Sequence, residues 1–504
     1  MKSKVIAKNT VLLFVRSIVV LLLTLYTSRI ILQSLGVVDF GIYNVVGGVA
    51  TLFVFISSTL TNAIQRFMSF ELGRNNIDRL NHVFTCSRVL QLIIAIVILL
   101  LGETIGLWLL YNKVVIPENR FVAALWTYQL SLGLCIVQVT RIPYDAMIIA
   151  HEKFSAFAYF SIANVCTRLV VALTLPIIPF DRLIVYALFI FLIGYALNLS
   201  YRLYTKYNFR YIKYSWKVDK DVFREMFLFS DWTFLGNVAW MGYTQGLDIV
   251  LNMFAGPIGN AATAIAKQVQ SAVATLSSNI QTATNPQIIK SYSENDLGSM
   301  HRLMLACTKY SFFFVWIIAL PLTLEMRFVL ELWLGVVPQY AVDFTRLILI
   351  ISLLNTMSRP LMTCIHATGN IKKLQIVESA ILICIVPLAY LALKVGLPFF
   401  FIYVVYIFVE LIAQLARMLI ILPAIQLSLS HYLFVLIKRM FVVAMLSAVV
   451  TVCAFTQMEI GWYRFFAISI IALCVTTILI YIFGLEEWEK RKVLEMRNKY
   501  LRKL

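Results

Sequence analysis

Apolar residues run in long blocks along the whole chain, and short polar stretches rich in Lys and Arg separate them. Each block is about 20 residues or longer, the length a helix needs to cross roughly 30 Å of hydrocarbon. The pattern predicts about fourteen spans, near 9–33, 42–69, 83–111, 121–147, 154–178, 183–205, 225–254, 261–289, 303–330, 341–367, 373–394, 398–424, 432–456 and 463–484. The first block is too long for the core of a cleaved leader and has no small-residue cleavage site, so it reads as a retained span.

The polar stretches orient the spans. About four times as many Lys and Arg fall on the side of Lys2, Lys4, Lys8 and the tail cluster Lys490–Lys503 as on the side of Lys113, Arg120, Arg182, Arg327, Lys394 and Arg464. The positive-inside rule then puts both termini in the cytoplasm, which requires an even number of spans.

A weak internal repeat runs at an offset of about 217–220 residues. Tyr26 and Thr27 return as Tyr243 and Thr244, Gly36 and Gly41 as Gly256 and Gly259, and Asn62 as Asn279. Asn76 and His82 return as Asn295 and His301, Arg141 and Pro143 as Arg359 and Pro360, and Ala150 as Ala367. One register held over so many positions points to a duplicated bundle with parallel halves. The expected architecture is an all-α membrane protein of two pseudo-symmetric six-helix lobes plus two C-terminal helices. Its expected parts are a first lobe (1–206), a cytoplasmic linker (207–224), a second lobe (225–424), two extra spans (425–484) and a basic amphipathic tail (485–504).

Composition agrees with a lipid solvent. Of 504 residues, 61% are hydrophobic and 13% charged, and the mean hydropathy is +0.86. A soluble domain could not bury that much apolar surface. The net charge of +18 would suggest nucleic acid in a soluble chain, but topology accounts for it here, so no nucleic-acid partner is expected. The eight cysteines are scattered in apolar blocks without CxxC or a metal-type cluster, so no disulfide framework or metal site is predicted. No HExxH, GxSxG or phosphate-binding GxxxxGK[ST] is present, which removes the usual signatures of hydrolases and ATPases.

Charges inside the spans carry the candidate chemistry, because each costs at least about 2.5–3.5 kcal/mol at the bilayer centre. Cations recur as Arg16, Arg29, Arg66, Arg88, Arg141, Arg168, Lys267, Lys309, Arg346 and Arg359. Arg16, Arg66, Lys309 and Arg346 lie near span ends and read as snorkelling to headgroups. Arg29, Arg88, Arg141, Lys267 and Arg359 are the candidates for a cavity that binds an anion such as a diphosphate, whose oxygens fit arginine forks. The acids Asp248, Asp231, Glu103 and Glu378 are candidates for ion coupling, with internal ion pairing as the alternative role; Glu410 is a fifth acid within a span. Asp248 stands out because Asn237 and Gln245 precede it on the same span. Gly47-Gly48, Pro143, Pro286, Pro321 and Pro360 mark places where helices can bend.

Several of these segments resemble one superfamily. Leu35-Gly36-Val37-Val38-Asp39-Phe40-Gly41-Ile42-Tyr43 is similar to the signature between the first two spans of polysaccharide-exporting members of the multidrug/oligosaccharidyl-lipid/polysaccharide (MOP) exporter superfamily. Asn62-Ala63-Ile64-Gln65-Arg66-Phe67 resembles the end of its second span. Asp248 with Gly256-Pro257-Ile258-Gly259, Asn285-Pro286 with Lys290, and Trp333-Leu334-Gly335 with Pro338 resemble its second half. The O-antigen (Wzx-type) flippase branch is the nearest match. The resemblance implies translocation of an undecaprenyl-diphosphate-linked oligosaccharide, an O-antigen, lipopolysaccharide or capsule repeat unit, from the cytoplasmic to the periplasmic leaflet by alternating access. It implies a transporter of the bacterial inner membrane rather than an enzyme, with no cofactor beyond a sodium or proton gradient. The partners it implies are the lipid-linked substrate and membrane lipids, for a monomer associated with polysaccharide polymerase machinery. A MATE-type multidrug/cation antiporter and a lipid II flippase are the alternatives within the superfamily. Cations inside the spans outnumber acids by about two to one, which favours an anionic substrate. A polymerase or ligase of the same pathway would carry a large outer loop, and every predicted outer loop is short.

Overall fold

The computed structural model describes residues 2–51, 64, 67–68, 71–72, 76–151, 153–212, 218–228, 231–487 and 489–490. Among them the chain is helical, with no strand. The main helices are α1 (Lys2–Thr51), α2 (Ile77–Leu101), α3 (Phe121–Ala150), α4 (Phe154–Thr174) and α5 (Arg182–Asn208). They continue with α6 (Lys220–Leu228), α7 (Asp231–Ser293), α8 (Leu297–Leu324), α9 (Met326–Leu334) and α10 (Ala341–Thr368). The last are α11 (Lys372–Ile383), α12 (Ile385–Lys394), α13 (Phe401–Ala424), α14 (Lys438–Thr456) and α15 (Trp462–Leu479).

Twelve helical stretches among the described residues are long and apolar enough to cross a membrane. Val19–Thr51 and Ala239–Thr275 each belong to a longer helix, Lys2–Thr51 and Asp231–Ser293, with residues enough for two crossings. Each is broken by one glycine in left-handed backbone, Gly36 at φ 77° and Gly256 at φ 61°. Dividing them there accounts for the fourteen spans expected from hydropathy. The chain therefore has no loop between its first two spans; one residue makes the break, and glycine allows it because it has no Cβ to clash at positive φ.

The repeat offset recurs in the helix starts. Gly36 and Gly256 are 220 residues apart, as are the starts of α2 and α8 (Ile77, Leu297) and of α3 and α10 (Phe121, Ala341). The starts of α4 and α11 (Phe154, Lys372) and of α5 and α13 (Arg182, Phe401) keep offsets of 218 and 219. Local chemistry repeats as well: Asn76 accepts from Arg79 N to cap α2, and Asp296 accepts from Ser299 N to cap α8. Pro143 and Pro360 sit inside α3 and α10, which run through them.

The chain divides into two compact units. The first gathers Met1–Ile265, Trp333–Ala341 and Gln375–Val405. In it α3 is central and packs on α5, α1 and α2, while α4 lies on α1. Close helix approach is built in: a Cβ on Gly102 would meet Leu132 at 2.6 Å, and Tyr128 donates to Gly102 O at 2.8 Å. The two glycine breaks also meet in this unit, since a Cβ on Gly41 would lie 1.9 Å from Pro257 O. Trp333 Nε1 donates to Leu25 O at 2.8 Å and Gln33 Nε2 to Leu334 O at 3.0 Å, fixing 333–341 on α1.

The second unit holds Ala266–Leu332, Val342–Leu374 and Tyr406–Leu504. Met300, Met304, Leu361, Cys364, Ile421, Tyr432 and Met440 form its core. It holds three buried ion pairs, two between distant segments, Lys309–Glu489 at 2.5 Å and Arg464–Glu325 at 2.6 Å, and one within α13, Arg417–Glu410 at 2.6 Å. Lys309 was expected to snorkel; instead its side chain is 3% exposed and clasped by Glu489, which also accepts from Tyr310. The expected polar linker is largely ordered: α5 runs to Asn208, and α6 is capped by Asp219, which accepts from Asp221 N and Val222 N. Residues 213–217 and most of the tail, with Asn62, Gln65, Arg66 and Trp488, lie outside the described residues.

Candidate functional site

Three arginines in the first unit, half-buried Arg141 on α3 and Arg168 on α4 and exposed Arg202 on α5, share one anchoring pattern. Arg141 Nε donates to Asp145 Oδ2 at 3.1 Å, one helical turn on. Arg168 Nε donates to Asn164 Oδ1 at 3.2 Å, one turn back. Arg202 Nε donates to Asn198 Oδ1 at 2.9 Å, again one turn back. In each case the inner nitrogen is tied to a side chain on its own helix, which sets the direction of the fork. The terminal nitrogens make no hydrogen bond among the described residues.

Aromatic rings back the same groups. Arg141 Cζ sits 5.1 Å over the Tyr201 ring, and Arg202 Cζ 5.5 Å over the Tyr144 ring. The two helices thus exchange contacts: α3 lends its arginine to a ring of α5 and takes an arginine of α5 on its own ring. The Tyr43 and Tyr186 rings meet edge-on at 4.8 Å, with the Arg168 charge in electrostatic reach of both. Asn198 ties the arrangement together by donating to Val137 O at 2.9 Å and Thr140 Oγ1 at 3.1 Å. Rings below and open N–H forks above suit a half-buried guanidinium that receives an anion, because cation–π contact offsets part of its lost hydration.

Of the cations chosen from sequence, Arg141 belongs to this cluster. Arg29 on α1 and Arg88 on α2 are half-buried in the same unit. Lys267 is half-buried on α7 and Arg359 is exposed on α10, both in the second unit. Among the acids, Asp248 is half-buried and its backbone carbonyl accepts from Asn260 Nδ2 at 2.9 Å. Asn260 Oδ1 in turn accepts from Asn252 Nδ2 at 2.8 Å, a polar knot around the Gly256 break. Glu103 is exposed and accepts from Gln129 at 3.2 Å; Glu378 is half-buried on α11. Asp231 opens α7, and its side chain is outside those described.

Sequence reading missed Asp145, Arg202 and the tyrosines. The Arg141–Asp145 spacing was visible, since residues four apart share a helix face. Arg202 lies near the end of its predicted span, where the basic-loop rule accounts for a cation without a site. Nothing in one sequence marks a tyrosine as the ring beneath an arginine on another helix.

No family model matches the chain, and no curated protein matches it. Solved structures do. An inward-facing MATE-family multidrug resistance transporter superposes with TM-score 0.69 at 13% identity, covering 80% of this chain and 94% of that one. The lipid II flippase MurJ, in an inward closed conformation, superposes with TM-score 0.71 at 13% identity, covering 95% and 98%. The chain shares the all-α fold of these two proteins. A MATE-family transporter of the MOP superfamily in an outward-facing conformation matches with TM-score 0.54 at 14% identity, covering 82% and 96%. These neighbours are transporters and a flippase. At such identities the likeness establishes the multi-pass all-α fold.

Proposed function

We propose that this chain is a lipid-diphosphate flippase: it carries an undecaprenyl-diphosphate-linked oligosaccharide from the cytoplasmic to the periplasmic leaflet of a bacterial inner membrane by alternating access of two six-helix lobes. One observation carries the reading. Arg141, Arg168 and Arg202 are each fixed through Nε and leave their terminal N–H donors open. Among their hydrogen-bond partners in the described residues there is a single carboxylate, Asp145 on Arg141, and the other two are anchored by neutral asparagines. A drug antiporter that takes cations would need the opposite balance, because a positive interior repels its cargo. Phosphate oxygens accept forked N–H pairs, and a diphosphate offers enough oxygens for more than one arginine. The rings of Tyr144 and Tyr201 would also present apolar faces to sugar C–H groups.

The driving force in this reading is a sodium or proton gradient, and both termini face the cytoplasm. The cell-level test is glycan exposure on the periplasmic face in a strain lacking this chain and any redundant flippase. Loss of exposure, restored by the wild-type gene and not by an Arg168→Gln/Arg202→Gln variant present at equal level in the membrane, is the expected result. Normal exposure in the deletion strain, with increased susceptibility to cationic drugs, would assign the chain to the antiporter alternative.

A further inference from the structure

The anion cluster contains its own anion. Asp145 Oδ2 holds Arg141 Nε at 3.1 Å, whereas Asp145 Oδ1 is buried and has no hydrogen-bond partner. A buried carboxylate oxygen without a donor costs free energy that water would otherwise supply, and proteins rarely leave one so without reason. Asp145 therefore does two things: it neutralises Arg141, and it is poorly satisfied while ionised.

We propose that Asp145 is a placeholder for the cargo's phosphate. In the empty carrier it pairs with Arg141, so that no guanidinium stands uncompensated in a low-dielectric interior. When a diphosphate arrives, its oxygens take the Arg141 fork and Asp145 gives it up. Asp145 then loses its counter-charge and takes a proton from bulk water: an O–H bond forms at the carboxylate and the loaded site avoids an unpaired buried negative charge. Anion binding and proton uptake thus favour each other, and by linkage each strengthens the other equally. The proposal rests on the lipid-diphosphate reading and adds what the protein itself does when the site is empty.

A proton fits this role better than a metal cation. A sodium ion needs several oxygen ligands, and one orphaned oxygen is available here, on a carboxylate that already holds the Arg141 guanidinium. Among the described residues, Arg141 is the group that pairs with Asp145. The helices packed against α3 bring Arg202 and Tyr201 of α5, His82, Cys86 and Arg88 of α2, Arg29 and Tyr43 of α1, and Arg168 of α4, together with two acids, Asp39 of α1 and Asp78 of α2. Asp39 is held by Arg120 at 2.6 Å and Asp78 lies in the first turn of α2, and Arg141 is the charge that acts on Asp145. A proton on Asp145 therefore has to come from loss of Arg141's compensation, not from a neighbouring acid.

The test is binding of geranylgeranyl diphosphate to the purified full chain in detergent as a function of pH, with geranylgeraniol as the control without phosphate. Wild type should bind more tightly as pH falls, by up to about tenfold per pH unit for one linked proton beyond the ligand's own ionisation. Asp145→Asn should bind several-fold more tightly than wild type at neutral pH and lose that extra pH dependence. Asp145→Glu should keep it. An Asp145→Asn variant with wild-type affinity and pH slope would overturn the placeholder and leave the flippase reading standing. No diphosphate binding by any variant would overturn both. A measurement on wild type alone covers the case in which Asp145→Asn does not fold. Calorimetry with geranylgeranyl sulfate, whose charge is constant across the physiological range, counts protons in buffers of different ionisation enthalpy. Net uptake is expected, and none at any pH would overturn the proposal.

Discussion

Single side chains in this protein show how lipid changes the meaning of a charge. Lys309 lies in an apolar block, where its long stem made headgroup contact the economical expectation. The structure instead gives it a buried partner 180 residues away, Glu489. That pairing was not legible in the sequence, because Glu489 sits in a segment dense with both signs of charge and no spacing rule joins distant helices. Breaking a buried pair leaves one charge stranded, which costs about 3–5 kcal/mol where it has been measured, whereas replacing both partners with apolar groups is often neutral. Lys309→Met and Glu489→Leu should each lower the melting temperature in detergent markedly, and the double variant should recover most of the loss. Equal, additive losses would show that the two residues act separately. Arg464 and Glu325 form a two-pronged pair, at 2.6 and 2.9 Å, and should behave in the same way.

At the scale of elements, hydropathy located the apolar blocks well because each helix must cover a fixed thickness of hydrocarbon. It also placed the junctions, leaving 34–41 and 255–260 between spans, but not their form: Gly36 and Gly256 each break a helix within one residue, with no polar loop. The neighbouring glycines differ in what they tolerate. A Cβ on Gly41 would meet Pro257 O at 1.9 Å, while one on Gly47 would meet nothing within 4 Å. Gly41→Ala should therefore lower the folded fraction on fluorescence-detected size exclusion, by an amount typical of overpacking, about 1–3 kcal/mol. Gly47→Ala, in helical backbone, should be neutral or slightly stabilising. The end of α3 carries a pH dependence of its own. His151 stacks on Phe209 at 4.0 Å and hydrogen-bonds Tyr211, and burial pushes its pKa below the ordinary histidine value, with the Lys153 charge adding to the effect and the bond to Met147 O opposing it. Between that lowered value and about 6.5 the unfolded chain binds more protons than the folded one. Stability of this corner therefore falls as pH drops below about 6.5 and is regained as pH rises. Hydrogen exchange at residues 209–212 should speed up over that window, and His151→Gln should flatten the response.

For the molecule as a whole, the membrane class, the all-α fold and the repeat could be read from one sequence, because each rests on periodicity that lipid enforces. The candidate site could be read only in part. Sequence supplied Arg141 as an expensive charge, but its exchange of ring contacts with Arg202 depends on how α3 and α5 pack. The same logic separates transport from folding. A guanidinium that receives cargo can be reversed without breaking a buried pair, provided its own partner is small and local. Arg168, anchored to neutral Asn164, meets that condition; Arg464, locked to buried Glu325, does not. Arg168→Glu should therefore reach the membrane at near wild-type level and still fail to restore periplasmic glycan in a flippase-null strain. Arg464→Glu sets two carboxylates against each other in a buried site, and it should lose membrane level and glycan together. Arg88→Glu and Arg359→Glu belong to the first pattern if they line the cargo's path, whereas Arg141→Glu would set a second carboxylate against Asp145. Each ratio of glycan signal to membrane level then reads directly on one position. A ratio near wild type for Arg168→Glu would remove the arginine cluster from transport and leave the fold without an identified anion site.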